Sequence, residues 1–271
     1  MTICIAAICD NGSNLILSTD SMITNPGLSI QFEQPIRKMQ SLSEKCFALT
    51  AGDALAHTEL FNKVKDEIAK LKSPSVPEVV EKVKKCYQLI RKDKINEIIL
   101  NPKGFRDFHD FYQTQRMMSQ ENMMMINHEI DEYRYGLEII VAGESSKMAH
   151  IYGISDPGTS QCFDSIGFFA IGSGSPHAMN CLIARGFYSG TNWKEGLLIV
   201  YEAKKMAEKA PGVGRDFTDI CIISPKNYKE PFEFPRDKIT ELHEIYEMWV
   251  RKEESWINKF DNLFQVKETK K

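Results

Sequence analysis

The sequence predicts an α+β fold, in which pairs of helices cover two antiparallel sheets in a four-layer αββα sandwich. Short runs rich in β-branched and aliphatic residues occur in two groups, one at the start of the chain and one after its middle. After each group, apolar residues recur at the three- and four-residue spacing of amphipathic helices. A sheet with an apolar face must bury that face, so two packed sheets with helices outside are the natural assembly.

The first half of the chain is predicted to contain four strands followed by two helices. The strands are expected at residues 3–8, 15–19, 30–32 and 46–49. The first two are joined by a turn of Asp, Asn, Gly and Ser, which is typical of a tight hairpin. A helix follows from Asp53 to the break at Ser73 and Pro74, and the run from Ser75 to Glu78 predicts the start of a second helix, with Pro77 in its first turn.

In the second half, three predicted strands precede two predicted helices, and one further strand follows them. Strands are predicted at residues 135–142, 148–154, 167–171 and 219–223, and helices at residues 176–187 and 193–209. Apolar residues from Ile239 to Leu263 then recur in steps of three and four, which predicts a long amphipathic helix.

The expected organisation is one domain over residues 1–235 and a C-terminal amphipathic helix with a charged tail over residues 236–271. A helical insertion interrupts the domain at about residues 101–135, after the break at Pro102 and Gly104. This insertion is rich in Phe and Met, including Phe105, Phe108, Phe111, Met117 and Met123 to Met125. It is either an extra amphipathic helix on the core or a surface that packs on a neighbouring subunit, because Met adapts to irregular contacts.

Composition excludes several classes of protein. The formal charge is −3, from 34 Lys and Arg against 37 Asp and Glu, so no surface for nucleic acid is expected. The seven cysteines form no CxxC pair, which favours reduced thiols over disulfides or a metal site. No apolar run approaches the ~18 residues that a membrane span needs, and no signal peptide is recognised. We therefore expect a cytoplasmic protein without a metal or cofactor.

Thr2 is the first candidate for chemistry. A threonine directly behind the initiator methionine becomes the first residue when Met1 is removed. Its hydroxyl is a poor nucleophile unless a base lies beside it, and the freed α-amine is such a base. An α-amine has a pKa of about 7.7–8.0, so a useful fraction is neutral near physiological pH.

Four motifs in the same order resemble the proteasome β-type family of N-terminal-nucleophile hydrolases. They are Thr2 with the hairpin that ends at Asp20, the run from Ile36 to Met39, the run from Ala48 to Ala54 and the run from Ala170 to Ser175. The resemblance extends from Thr2 to about Ser224, with one insertion. The ending of the last predicted strand looks most like the simple bacterial ring peptidases, which work with an unfolding ATPase. The resemblance implies the same αββα fold.

The family resemblance also implies an active site. Thr2 would be the nucleophile, Lys38 the cation beside it and Asp20 the carboxylate that orients the lysine, while the Gly52 N–H would bind the oxyanion and Ser173 would contact the terminal amine. Arg37 competes with Lys38, but Lys38 followed by an apolar residue completes the family pattern. The position-by-position match predicts a substrate pocket lined by uncharged residues, namely Ile23, Ile36, Gln40, Thr50, Ala54 and Thr58.

Two departures from the family pattern are present. The hairpin and the stretch from Asp20 to Lys38 each look about two residues longer than expected, which could displace the lysine. The Asp-x-x-Ser-Gly element that precedes the last strand in many members is missing, and Asp216 is a candidate to replace it.

The leading functional hypothesis is a threonine endopeptidase that acts on peptides or unfolded proteins as a homo-oligomeric ring, with an unfolding ATPase as a possible partner. A non-catalytic ring subunit and a small-molecule amidohydrolase are the alternatives. We expect the apolar stripe Leu242, Tyr246, Trp249, Trp256 and Phe260 to need a partner surface, like the Met- and Phe-rich segment 105–126.

Overall fold

The structure is a computed structural model that describes residues 2–25, 30–33, 38–224 and 230–254. The strands in these residues are β1 (Cys4–Cys9), β2 (Asn14–Asp20), β3 (Met22–Asn25), β4 (Ile30–Glu33), β5 (Met39–Ser43), β6 (Cys46–Gly52), β7 (Leu137–Ser145), β8 (Met148–Ser155), β9 (Thr159–Cys162), β10 (Phe168–Ile171), β11 (Thr218–Ile223) and β12 (Phe232–Glu233). The α-helices are α1 (Ala54–Ile68), α2 (Val76–Ile95), α3 (Phe108–Thr114), α4 (Gln120–Glu132), α5 (Ser175–Ala184), α6 (Trp193–Ala207) and α7 (Arg236–Glu254).

One antiparallel sheet has the strand order β10-β1-β2-β11-β12. The hairpin of β1 and β2 places Cys4 opposite Thr19, and β11 runs along the other side of β2 with Thr218 opposite Asp20. The beginning of β1 and the end of β2 therefore lie together. This register alone brings Thr2 close to Asp20.

The second antiparallel sheet has the order β5-β6-β7-β8-β9, and β3 pairs with β4 in a separate hairpin. Met39 lies opposite Leu49, and Gly52 lies opposite Leu137. The beginning of β5, the end of β6 and the beginning of β7 thus share one end of the sheet. Lys38 directly precedes β5 at that end.

Three apolar cores define the layers. Alternate residues of β1 face opposite sides, as the two-residue period of a strand requires. Ile3 and Ile5 pack with α5 and α6, whereas Cys4 and Ala6 pack with residues of the second sheet such as Leu49. The outer face of the second sheet packs with α1 and α2. The order is helix, sheet, sheet, helix, so the predicted α+β sandwich is confirmed.

The insertion contains two short helices rather than one. Asp107 caps α3 by accepting a hydrogen bond from Asp110 N (2.9 Å), and Ser119 caps α4 by accepting one from Asn122 N (3.3 Å). Together with the end of α2 and the π-helical turn at Asn96–Leu100, they enclose a small core of their own, formed by Ile95, Ile99, Leu100, Phe111, Ile126 and Ile130. Two local caps break the apolar pattern that had suggested one continuous helix.

The short strands β3, β5, β9 and β12 are not evident from the sequence. In β5 the pairing shifts between Ser41 and Ser43, so the apolar residues Met39 and Leu42 do not alternate in the usual way. A strand with an irregular register loses the two-residue pattern by which strands are recognised.

The C-terminal helix α7 packs on its own chain. Leu242 is buried, and Tyr246 and Trp249 are partly buried against the core around α6, with the Arg185 guanidinium 4.6 Å from the Trp249 ring. Leu242 therefore needs no partner subunit, because its own chain buries it, whereas Tyr246 and Trp249 are covered only in part. Trp256 and Phe260 lie outside the described residues. None of the described helices is both long enough and apolar enough to cross a bilayer.

Candidate active site

Thr2, Lys38 and Asp20 are in direct contact. Thr2 precedes β1 and is only 4% exposed. Its Oγ1 accepts a hydrogen bond from Lys38 Nζ, and the same ammonium group lies 2.6 Å from Asp20 Oδ1. The longer stretch between Asp20 and Lys38 does not displace this lysine, while Arg37 lies outside the described residues. A hydroxyl, a cation and a carboxylate thus form a continuous chain.

The Asp20 carboxylate is fully buried and its oxygens are well supplied with donors. Besides Lys38, Oδ1 accepts a hydrogen bond from Ile3 N (3.1 Å), and Oδ2 accepts hydrogen bonds from Gly214 N (2.7 Å) and Met22 N (3.4 Å). Burying a charge is costly unless the charge is paired and hydrogen-bonded. These contacts offset that cost and hold the carboxylate in one orientation.

The loop before α5 holds the backbone of Thr2. Ser173 Oγ accepts a hydrogen bond from Thr2 N (3.3 Å), and Gly174 N donates to Thr2 O (3.2 Å). Gly172 has a φ of +93°, and a Cβ there would lie 2.3 Å from Thr2 O, so only glycine allows this close approach. Ser175 is the first residue of α5, and Gly174 occupies the N-cap position.

Gly52 forms the turn between β6 and α1. Its φ is +121°, and a Cβ there would lie 2.2 Å from Gly136 O. Asp53 then caps α1 by accepting a hydrogen bond from Leu55 N (2.9 Å). The positive φ and the close approach of Gly136 O are enough to require glycine at this position. The turn also places Gly52 in the wall of the cavity that Thr2 lines.

A cavity of about 660 Å³ opens beside Thr2, between the ends of β6 and β7 and the loop before α5. This volume lies within the range of ligand-binding pockets. Arg134, Glu138 and Asp156 bring charge to its walls. Glu138 Oε2 accepts a hydrogen bond from Gly172 N (2.8 Å), which links the cavity wall to the loop that holds Thr2. Sequence reasoning missed all three charged residues.

The substrate pocket predicted from the family resemblance does not coincide with the cavity beside Thr2. Of its six members, Gln40, Thr50, Ala54 and Thr58 have described side chains, and none of these four lines the cavity beside Thr2. Thr50 is buried in β6, whereas Ala54 and Thr58 are exposed at the start of α1. Ile36 and the side chain of Ile23 lie outside the described part of the chain.

His57 is a neighbour of this predicted pocket that the sequence did not reveal. Its Nε2 lies 3.0 Å from Gln40 Nε2, and its ring makes an edge contact with Phe61. Burial lowers the pKa of His57, and the nearby Lys65 charge acts in the same direction. A neutral imidazole at neutral pH can accept the hydrogen bond of the Gln40 amide.

The segment before β11 reaches Asp20 through a backbone group. The Gly214 N–H makes this contact, whereas the Asp216 side chain is exposed and its backbone N–H donates to Glu33 Oε2 (3.1 Å). In this segment it is thus a backbone N–H, and not the Asp216 carboxylate, that contacts Asp20. A backbone donor leaves no signature in the sequence, which is why Gly214 was missed.

The described residues contain no cluster suited to a metal ion. Among them, no three His, Cys, Asp or Glu side chains come together in a way that could hold one. Thr2 brings its hydroxyl to the cavity, and the Lys38 ammonium group that contacts this hydroxyl is paired with the Asp20 carboxylate.

The fold and the site together define an α+β sandwich with a buried Thr–Lys–Asp contact at one end of its sheets. Among solved structures, a mutant of Anbu from Hyphomicrobium sp. strain MC1 is similar, with a TM-score of 0.65 and 14% sequence identity. The match covers 96% of this chain and 100% of that chain. At this identity the similarity shows a shared fold alone. No family model and no curated protein matches the sequence.

Proposed function

We propose that the chain is a proteasome-like threonine endopeptidase whose nucleophile is Thr2, freed by removal of Met1. The observation that carries the proposal is the contact between Thr2 Oγ1 and Lys38 Nζ, with the ammonium group paired to the buried Asp20. A nucleophile beside a cation that a third group orients is the general arrangement of an activated hydroxyl. The fold similarity to Anbu supports the proposal at the level of the fold.

In the proposed reaction, the neutral α-amine of Thr2 takes the hydroxyl proton through a water molecule, and Oγ1 attacks the scissile carbonyl. The Lys38 ammonium group stabilises the negative charge that develops on Oγ1, and the N–H of Gly52, which lines the same cavity as Thr2, would stabilise the oxyanion. The protonated amine then gives its proton to the leaving amine. A water molecule hydrolyses the resulting ester and restores Thr2. Ser173 Oγ, 3.3 Å from the Thr2 nitrogen, would orient the amine.

The proposal predicts that activity follows the fraction of chains that begin at Thr2. Intact mass measures the loss of one methionine, and periodate, which cleaves a free 1,2-amino alcohol, reports an N-terminal threonine independently of turnover. A version with a short uncleaved N-terminal extension is the control and should be inactive, because its Thr2 nitrogen is an amide and cannot act as a base. Full activity in chains that all retain Met1 would contradict the mechanism.

Substrate assays separate the alternatives. Turnover of short amides without turnover of peptides would favour a small-molecule amidohydrolase, and absence of any Thr2-dependent turnover would favour a non-catalytic subunit. For peptides, the uncharged pocket predicted from the family resemblance, which is distinct from the charged cavity beside Thr2, leads us to propose a preference for apolar residues before the scissile bond. A panel of fluorogenic peptides that favoured Arg or Asp there would refute this preference.

We also propose that the protein forms a homo-oligomeric ring, which would enclose the nucleophile. The support comes from the insertion, where Met117 is 82%, Met124 60% and Met125 51% exposed. We infer that these methionines belong to one exposed apolar patch, and contiguous patches of this kind mark interaction surfaces. Copies that pack head to tail can close into a ring. An unfolding ATPase and the cytoplasmic location stay predictions.

The ring proposal predicts that light scattering at micromolar concentration gives a mass well above the 31.0 kDa of one chain. Met124→Glu should weaken assembly, because it places a charge in the proposed interface. Met248→Glu on α7 is the matched change at another exposed methionine and should have less effect. A stable monomer in the unchanged protein would contradict the proposal.

A further inference from the structure

Lys204 is a buried cation that the proposed mechanism does not use. It is fully buried on the apolar face of α6, one turn after Val200 and Tyr201. Burial lowers the pKa of Lys204, and the carboxylate of Glu208, 2.6 Å from its Nζ, opposes that shift. A fully buried lysine is rare unless it has specific partners, so its contacts should indicate what it does.

The partner that connects Lys204 to the active site is the backbone of Gly214. Lys204 Nζ donates to Gly214 O (3.1 Å), and Gly214 N donates to Asp20 Oδ2 (2.7 Å). Asp20 in turn pairs with Lys38, which contacts Thr2 Oγ1. A continuous series of hydrogen bonds therefore links the helical layer behind the sheet to the proposed nucleophile.

The loop around Gly214 is also held from its other side. Glu33 in β4 accepts hydrogen bonds from Arg215 N (2.5 Å) and Asp216 N (3.1 Å). In the peptide group between Gly214 and Arg215, the N–H thus donates a hydrogen bond to Glu33 and the C=O accepts one from Lys204. A Cβ on Gly214 would lie 2.6 Å from Glu33 Oε1 and 3.1 Å from Asp20 Oδ2, so the loop fits closely between the two carboxylates.

Lys205 provides a natural comparison. It is the next residue of α6 and pairs with the same Glu208 carboxylate, at 3.0 Å. Its side chain is partly exposed, and the donor to Gly214 O is Lys204. Glu208 would therefore keep a cationic partner if Lys204 were replaced, so the replacement should not leave an unpaired buried carboxylate.

We infer that Lys204 is a positioning residue: it holds the Gly214 carbonyl so that the Gly214 N–H stays on Asp20, and it thereby keeps the Asp20 carboxylate aimed at Lys38. The inference rests on the proposed function for its kinetic consequence. A small displacement of a group that orients the reacting atoms can cost up to about a hundred-fold in rate.

The test compares Lys204→Met with Lys205→Met, which removes the same charge one residue away. We expect Lys204→Met to lower kcat about ten-fold to a hundred-fold with KM unchanged, and Lys205→Met to keep kcat close to that of the unchanged protein. Lys204→Gln retains a donor for Gly214 O and should recover part of the kcat. Thermal melting checks that each variant folds. If Lys204→Met does not fold, Gly214→Ala tests the same link from the loop and should lower kcat with KM unchanged.

Equal kcat values for Lys204→Met and Lys205→Met would overturn the inference, as would a loss that appears in KM alone. Such a result, with Thr2-dependent turnover intact, would leave the proposed function standing. Absence of Thr2-dependent turnover in the unchanged protein would instead count against the proposed function.

If the unchanged protein shows no Thr2-dependent turnover, a crystal structure of Lys204→Met tests the inference. Lys204→Gln takes its place if the methionine variant does not fold. A Gly214 N–H that has moved off Asp20 in Lys204→Met would support it, and an unmoved contact there would overturn it. In Lys204→Gln, the introduced amide could donate to Gly214 O in place of the lysine. If it does so and the Gly214 N–H stays on Asp20, the result would support the inference. An unmoved contact without that bond would overturn it.

Discussion

Replacing Thr2 with alanine is expected to lower kcat by at least about a thousand-fold, because the change removes the only atom that could attack the scissile carbonyl in the proposed mechanism. The fold should persist. The backbone bonds of Thr2 to Ser173 and Gly174 do not depend on its side chain, and Lys38 keeps its ion pair with Asp20. Peptidase assays and thermal melting of the purified variant measure the two effects separately.

Thr2→Ser is the matched control. It keeps the hydroxyl but loses the methyl group that restricts χ1 in a β-branched residue, so the hydroxyl is held less firmly. We expect part of the activity to remain. Intact mass must show that both variants have lost Met1 before their rates are compared. Unchanged turnover in Thr2→Ala would exclude Thr2 as the nucleophile.

Lys38→Ala is expected to be nearly as damaging, with a loss of kcat of about a hundred-fold or more. The change removes the cation that contacts Thr2 Oγ1 and leaves Asp20 buried without its ionic partner. Asp20 would still accept hydrogen bonds from the backbone of Ile3, Met22 and Gly214, so a folded variant is expected. Steady-state kinetics with a fluorogenic peptide measure the loss.

Two controls accompany this variant. Arg37→Ala removes the neighbouring positive charge and should be mild. Lys45→Ala breaks another lysine–carboxylate contact, with Glu144 in β7, and should leave kcat unchanged. If Arg37→Ala were the damaging change and Lys38→Ala the mild one, the cation of the active site would be Arg37.

The sequence by itself determined the elements that depend on local patterns. The long strands and helices follow from two-residue and three- to four-residue periods. The start of α2 is local as well, because the Glu78 carboxylate accepts a hydrogen bond from the backbone N–H of Ser75. The contact of Thr2 with the Asp20 region is nearly local too, because one hairpin brings the two ends of β1 and β2 together. The order of the family motifs along the sequence also identified Lys38, Gly52 and Ser173 as candidate residues of the active site.

Only the tertiary structure decided which groups surround those candidates. Glu138, Gly214 and Lys204 lie far from Thr2 along the chain, and they reach the site because the two sheets pack face to face with helices behind them. Two of the decisive contacts, from Gly214 to Asp20 and from Lys204 to Gly214, use the backbone N–H and C=O of Gly214, which every residue type except proline offers as a pair. Such contacts depend on how distant segments pack, so no residue type or spacing in the sequence could have indicated them.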